Sequence, residues 1–185
     1  MEKLAHEQIL ATYLVRKLKN GEAVKHFDCG DEDLNDYITH DATLYQQALL
    51  SVTYVIEERA TRKTVAYYSL AADSISINSF STKTEFNRFR KQRFVNEKRI
   101  KSYPAMKLCR LGTSIDVRGA GIGTFIVDSI KYALTHEMDY GCRFLTVDAY
   151  DTAVEFYIAN GFEFLMEEER ESKRPLLYFD LHNIL

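Results

Sequence analysis

Leu108-Cys-Arg-Leu-Gly-Thr-Ser-Ile-Asp-Val-Arg-Gly-Ala-Gly-Ile-Gly-Thr124 reads as a strand that runs out into a glycine-rich turn and then into a helix. The turn, Arg118-Gly-Ala-Gly-Ile-Gly123, is an R-G-x-G-x-G loop, and four of the chain's eight glycines lie between Gly112 and Gly123. Ile122, Phe125, Ile126, Ile130, Ala133 and Leu134 follow at helical spacing. A turn without Cβ atoms lets a ligand approach the backbone. The helix behind it offers unpaired N–H groups and a positive dipole end. Together these make an anion site, most often for phosphate.

Outward from this loop, the chain alternates strands and helices in mixed order. Upstream, Tyr13–Leu18 reads as a strand, and Asp31 or Asp33 caps a helix running to about Gln47. Ser51–Glu57 and Lys63–Ala71 are rich in β-branched and aromatic residues and read as a hairpin. Tyr103-Pro104 restarts extended chain, and Met106 to Ile115 forms a long strand into the loop. Downstream come a strand at Arg143–Asp148, a short helix at Asp151–Ala159 stopped by Asn160-Gly161, and strands from Phe162 to Met166 and from Pro175 to Leu181. Six or seven strands with four or five helices make an α/β domain with a central mixed sheet. No linker, repeat or low-complexity run divides the chain, so residues 1–185 read as one domain.

Composition is that of an ordinary soluble protein, with 46% hydrophobic and 28% charged residues. No apolar run is long enough for a membrane span and no signal-peptide pattern opens the chain, which points to the cytoplasm. Cys29, Cys109 and Cys142 are few and scattered, as expected of reduced thiols and not of a zinc site. Net charge is −3, yet Lys83 to Lys101 carries eight basic residues against Glu85 and Glu97, a net of +6 that leaves −9 elsewhere. Such asymmetry marks either a solvated helix face or a face for a polyanion.

Other glycine-loop chemistries fail on context. A dinucleotide loop follows the first strand of a βαβ unit, whereas this one lies deep in the chain. A P-loop needs Gly-Lys-Ser/Thr, which is absent.

A second pattern lies downstream: Ala153-Val-Glu-Phe-Tyr-Ile-Ala-Asn-Gly-Phe162, or A-x-x-F-Y-x-x-x-G-F. In this order and separation, the two motifs resemble the GNAT family of acetyl-CoA-dependent N-acetyltransferases. Arg118-x-x-Gly121-x-Gly123 matches that family's pyrophosphate loop. The resemblance implies a GNAT-like sheet, mostly antiparallel, flanked by helices and splayed between the strands before and after the loop helix. It implies that Arg118, Gly119, Ala120, Gly121, Ile122, Gly123 and Thr124 hold the coenzyme's pyrophosphate. By position, Leu111, Gly112 and Thr113 would pair with the pantetheine arm and aim an N–H at the thioester oxygen. Tyr157 matches the tyrosine that protonates the leaving sulfur, and no metal is implied. The reading without chemistry makes Tyr157 a core aromatic. No general base is evident; Asp148 is the nearest carboxylate, and its competing reading is a capping or loop residue.

Phe27-Asp-Cys-Gly-Asp-Glu-Asp-Leu-Asn-Asp-Tyr-Ile38, Tyr67–Ala71 and Tyr103–Ala105 resemble one branch of the family, the acetyltransferase toxins of bacterial toxin–antitoxin pairs. That branch implies an aminoacyl-tRNA acceptor, an antitoxin partner, and a phosphate-contacting face at Arg88, Arg90, Lys91 and Arg93. Similar proteins are commonly homodimers. A small amine, peptide or antibiotic-like acceptor stays open, as does a non-catalytic acyl-CoA-binding domain.

Overall fold

A computed structural model describes residues 4–24, 26–94 and 100–185. Lys98 and Arg99 of the basic segment lie outside the described residues. In chain order the elements are α1 (His6–Thr12), β1 (Tyr13–Lys17), α2 (Glu32–Asp36), α3 (Ala42–Gln47), β2 (Val52–Glu58), β3 (Thr64–Ser76), α4 (Lys83–Arg93), β4 (Ser102–Thr113), α5 (Ile122–His136), β5 (Phe144–Asp148), α6 (Val154–Ala159), β6 (Glu163–Phe164) and β7 (Leu176–Asp180). The seven strands form one sheet in the order β1-β2-β3-β4-β5-β7-β6. β4 and β5 are parallel. The β1–β2, β2–β3, β5–β7 and β6–β7 pairs are antiparallel. This is the mixed sheet expected from the order of elements, and it is mostly antiparallel, as the family resemblance implies.

The chain gathers into two compact units, Met1–Ala71 with Leu108–Tyr132, and Ala72–Lys107 with Ala133–Leu185. The core of the first joins Leu18, Val24, Phe27, Cys29, Tyr37, Ile38, Ala42, Val55 and Tyr67. Within it the expected helix over 31–47 is interrupted. Asp31 caps α2 by accepting from the Leu34 N–H at 3.0 Å, as foreseen. A π-helical turn at Tyr37–Asp41 then separates α2 from α3. Thr39 supplies a reason, since its hydroxyl lies 2.9 Å from the Asn35 carbonyl and competes for the acceptors of the helical ladder.

The core of the second unit joins Ile75, Phe86, Phe89, Tyr103, Ala105, Phe144, Leu165 and Tyr178. α4 begins in a reciprocal cap, in which the Thr82 hydroxyl accepts from the Glu85 N–H at 3.2 Å and the Glu85 carboxylate accepts from the Thr82 N–H at 2.8 Å. The parallel register of β4 with β5 runs over Ala105–Lys107 against Phe144–Thr146 and covers none of Leu108–Thr113. β6 is shorter than expected, at Glu163–Phe164, although the Leu165 N–H still donates to the Leu176 carbonyl at 3.0 Å.

Candidate functional site

β4 ends at Thr113, two residues earlier than its sequence pattern suggests. Ser114 is the cause: its hydroxyl accepts from the Asp116 N–H at 3.4 Å and starts a 3-10 turn at Ile115–Val117. The glycine loop follows. Gly119 and Gly121 sit at φ +84° and +85°, a region that side chains with a Cβ enter only at a cost. Gly121 closes the turn by accepting the first helical bond, from the Phe125 N–H at 3.0 Å. The N–H groups of Gly119, Gly121, Ile122, Gly123 and Thr124 donate to no described residue. Behind them, Ala120 and Ile122 are 0% and 1% exposed, so the turn is anchored by its apolar residues while its amides stay available. Five unpaired amides at the positive end of a fifteen-residue helix suit a phosphate group.

Arg118 is exposed, but one of its donors is engaged. Its guanidinium donates to the Cys29 carbonyl at 2.5 Å. One turn earlier, the Ile115 N–H donates to the Asp28 carbonyl at 3.0 Å. Asp116 pairs with Lys63 at 2.6 Å.

Leu111 and Thr113 are half-buried, and Gly112 between them is buried. A Cβ on Gly112 would lie 2.6 Å from a Tyr67 ring carbon and 3.3 Å from Phe27. Glycine is therefore required there by packing. Tyr67 in turn donates its hydroxyl to the Leu34 carbonyl at 2.7 Å and meets Phe27 edge-on at 5.3 Å.

Tyr157 belongs to the second unit. It lies on α6, and Gly161 at φ +80° lets the chain reverse after that helix. The Phe162 N–H donates to the Tyr157 carbonyl at 3.0 Å, and the Phe162 ring packs on Tyr157 at 5.3 Å. Phe156 packs on it at 5.1 Å. The F-Y-x-x-x-G-F spacing is thus a helix stop that folds an aromatic back onto the tyrosine. Tyr157 is 6% exposed, and its hydroxyl bonds no described residue. Burial pushes its pKa up, so it remains a neutral proton donor.

The carboxylates near the end of β5 are engaged. Asp148 pairs with Lys107, which excludes the simple capping reading. The cap of the following 3-10 turn falls instead on Tyr150. Asp73 accepts from the Thr146 hydroxyl at 2.5 Å. Sequence reading did not single out Asp73, whose place beside Thr146 depends on strand register.

The four α4 cations singled out by sequence separate into two pairs. Arg88 and Lys91 are exposed and bond no described residue. Arg93 stacks over Phe89 at 4.2 Å and donates to the Tyr178 hydroxyl, with Glu163 at 3.5 Å. Arg90 lies over Phe86 at 5.8 Å. Helical geometry explains the division, because Arg90 and Arg93 share the side of α4 that carries Phe86 and Phe89.

Of the residues singled out by sequence, Leu111–Thr113 and Arg118–Thr124 are held in the first unit, and Tyr157 and α4 in the second. Among the described residues no group of three or more His, Cys, Asp or Glu is placed to hold a metal. No described helix is long and apolar enough to cross a membrane.

Residues 89–176 match the family model described as the acetyltransferase (GNAT) domain. No curated protein matches the chain in sequence. Among solved structures, a mutant of KacT superimposes with a TM-score of 0.74 at 20% identity, covering 94% of this chain and 97% of that one. AtaT complexed with acetyl-methionyl-tRNAfMet gives 0.72 at 21% identity, covering 93% and 96%. AtaTR bound with acetyl-CoA gives 0.72 at 22% identity, covering 94% and 96%.

Proposed function

We propose that residues 1–185, of which 89–176 match the acetyltransferase (GNAT) domain model, act as a single N-acetyltransferase domain that moves an acetyl group from acetyl-CoA to a primary amine. The observation that carries this reading is the glycine loop, whose five unpaired amides fit a pyrophosphate without help from a metal. The thioester is the activated acyl donor. The amides of Gly119, Gly121, Ile122, Gly123 and Thr124 hold the pyrophosphate. A backbone N–H of Leu111–Thr113 points at the thioester oxygen and stabilises the charge that develops when the neutral amine attacks, a contribution of about 3 kcal/mol. As the C–S bond breaks, the Tyr157 hydroxyl gives its proton to the sulfur; the acetylated nitrogen loses its extra proton to solvent, and the Tyr157 phenolate takes one back from solvent. A phenol with an ordinary pKa of about 10 is a weak acid for this task. Burial raises that value further, so position is what makes Tyr157 effective.

For the acceptor, we infer the amino group of an aminoacyl-tRNA. AtaT, which shares the fold, has been captured with acetyl-methionyl-tRNAfMet, and Arg88 and Lys91 offer exposed charges for phosphate. An aminoacyl ester also needs no strong base, in keeping with Asp148 being paired to Lys107. AtaT has also been captured with the C-terminus of the antitoxin AtaR. The reading therefore extends to an antitoxin partner and to a cytoplasmic homodimer. The net charge of −3 favours the other reading, acetylation of a small amine or peptide.

The deciding experiment is transfer of label from acetyl-CoA to a total aminoacyl-tRNA pool, with polyamines and lysine-rich peptides in parallel. Label in tRNA that is lost on deacylation supports the first acceptor. Label confined to amines or peptides supports the second. Binding of acetyl-CoA without transfer to any acceptor would leave a non-catalytic acyl-CoA-binding domain.

A further inference from the structure

The charged side chain of the glycine loop commits one donor to the rest of its own unit. Arg118 donates to the Cys29 carbonyl at 2.5 Å, and the Ile115 N–H donates to the Asp28 carbonyl at 3.0 Å. Two bonds thus fasten the entry of the loop to one short turn. That turn is itself fixed from both sides. Asp28 accepts from the Gly30 N–H at 2.7 Å and from the Asn35 amide at 3.0 Å. Asn35 returns its amide oxygen to the Cys29 N–H at 2.8 Å. Gly30 stands at φ +78°, and a Cβ there would lie 3.3 Å from the Arg118 guanidinium. These bonds hold the Asp28 carboxyl below its usual range, the Gly30 N–H first, then Asn35, with the Arg118 charge adding to them. α2, which carries Asn35, is tied to β3 by the Tyr67 hydroxyl on the Leu34 carbonyl.

A loop with three glycines in five positions has many conformations to lose when it binds an anion. Its amides bind well only when they are already oriented. We propose that Arg118 is a positioning residue: through the Asp28–Asn35 turn it preorganises the loop amides, so that the turn and α2 belong to the coenzyme site without touching the coenzyme. This rests on the acetyl-CoA reading of the loop given above.

The test is a double-mutant cycle on acetyl-CoA affinity, measured by calorimetry on the full chain, with Arg118→Ala, Asn35→Ala and the double variant. Each single change is expected to weaken binding about tenfold, and the double to be no weaker than the worse single, because both remove the same brace. At saturating acetyl-CoA, kcat should stay within about twofold while KM for acetyl-CoA rises, a split that general loss of structure would not produce. Asn35→Ala binding like the wild type, or effects that add in full, would overturn the proposal and leave Arg118 as a direct contact. If Asn35→Ala does not fold by circular dichroism, Asn35→Asp takes its place, since it keeps the acceptor for Cys29 and loses the donor to Asp28. Failure of the wild type to bind acetyl-CoA would overturn the loop's assignment and this proposal together, which separates that outcome from the failure of the brace alone.

Discussion

In the first unit, the loop residues are held by polar bonds: Arg118 to Cys29, Ile115 to Asp28, Asp116 to Lys63. In the second, Tyr157 is held by rings, with Phe156 and Phe162 packed on it and its hydroxyl bonding no described residue. The charged residue of the loop motif commits a donor to building, and the hydroxyl of the downstream tyrosine bonds no described residue. The difference teaches which side chain is available for chemistry. The Arg118 guanidinium, with one of its five donors on a carbonyl, has a structural task beside its charge. A phenol whose ring is packed and whose hydroxyl bonds no described residue keeps that hydroxyl available for a ligand.

The largest effect is therefore expected at Tyr157. Tyr157→Phe should retain acetyl-CoA affinity within about twofold and lower kcat by about 100-fold or more, as read by calorimetry and label transfer. A variant that turned over normally would erase the contrast and return Tyr157 to the core aromatics. Next in size is Gly112→Ala. The added methyl meets the Tyr67 ring and Phe27, and the overpacking should cost about 1–3 kcal/mol, seen as a fall of several degrees in Tm.

The second unit offers a contrast within one helix. Arg93→Ala removes stacking on Phe89 and the bond to Tyr178, and should destabilise by about 1–2 kcal/mol in chemical denaturation. Arg88→Glu with Lys91→Glu should leave stability nearly unchanged. If tRNA is the acceptor, that pair should raise KM for tRNA and lower its salt slope by about one unit for each lost phosphate contact. An unchanged slope would reduce this face of α4 to a solvated surface.

The smallest effect is pH dependence at the brace. Asp28 titrates below its usual value when folded, so its contribution is fully present above the ordinary carboxylate range, about pH 4, and is lost as pH falls through its lower folded value. Wild type should exceed Asp28→Asn in stability at neutral pH, and the two should converge in acid. Tyr157 has the opposite sign. Its raised pKa makes stability fall as pH rises above about 10, where an unfolded tyrosine ionises and the buried one does not.

Much of this was legible before any tertiary structure. The strand-loop-helix at Leu108–Thr124 and the helix stop at Asn160-Gly161 are local events, written in glycine placement and helical spacing. The succession of elements along the chain and a cap at Asp31 or Asp33 were readable for the same reason, and the structure uses Asp31. Thr39 interrupted a helix that periodicity makes continuous, since hydroxyl competition for a carbonyl leaves no mark in hydrophobic spacing. The basic segment read as one charged run, but helical geometry turned Arg90 and Arg93 onto rings and left Arg88 and Lys91 in solvent.

What the chain determined by itself is the kind of site: an anion loop on a helix N-terminus, followed by an aromatic helix carrying a tyrosine. Those properties come from residues within a few positions of one another, whose backbone preferences act locally. Tertiary structure alone decided what each side chain does with its polar atoms. Arg118 meets Cys29, 89 residues away in the chain, and Thr146 meets Asp73, 73 residues away. Such partners are chosen by strand register and packing, which bring distant residues within hydrogen-bond reach and which no local pattern encodes.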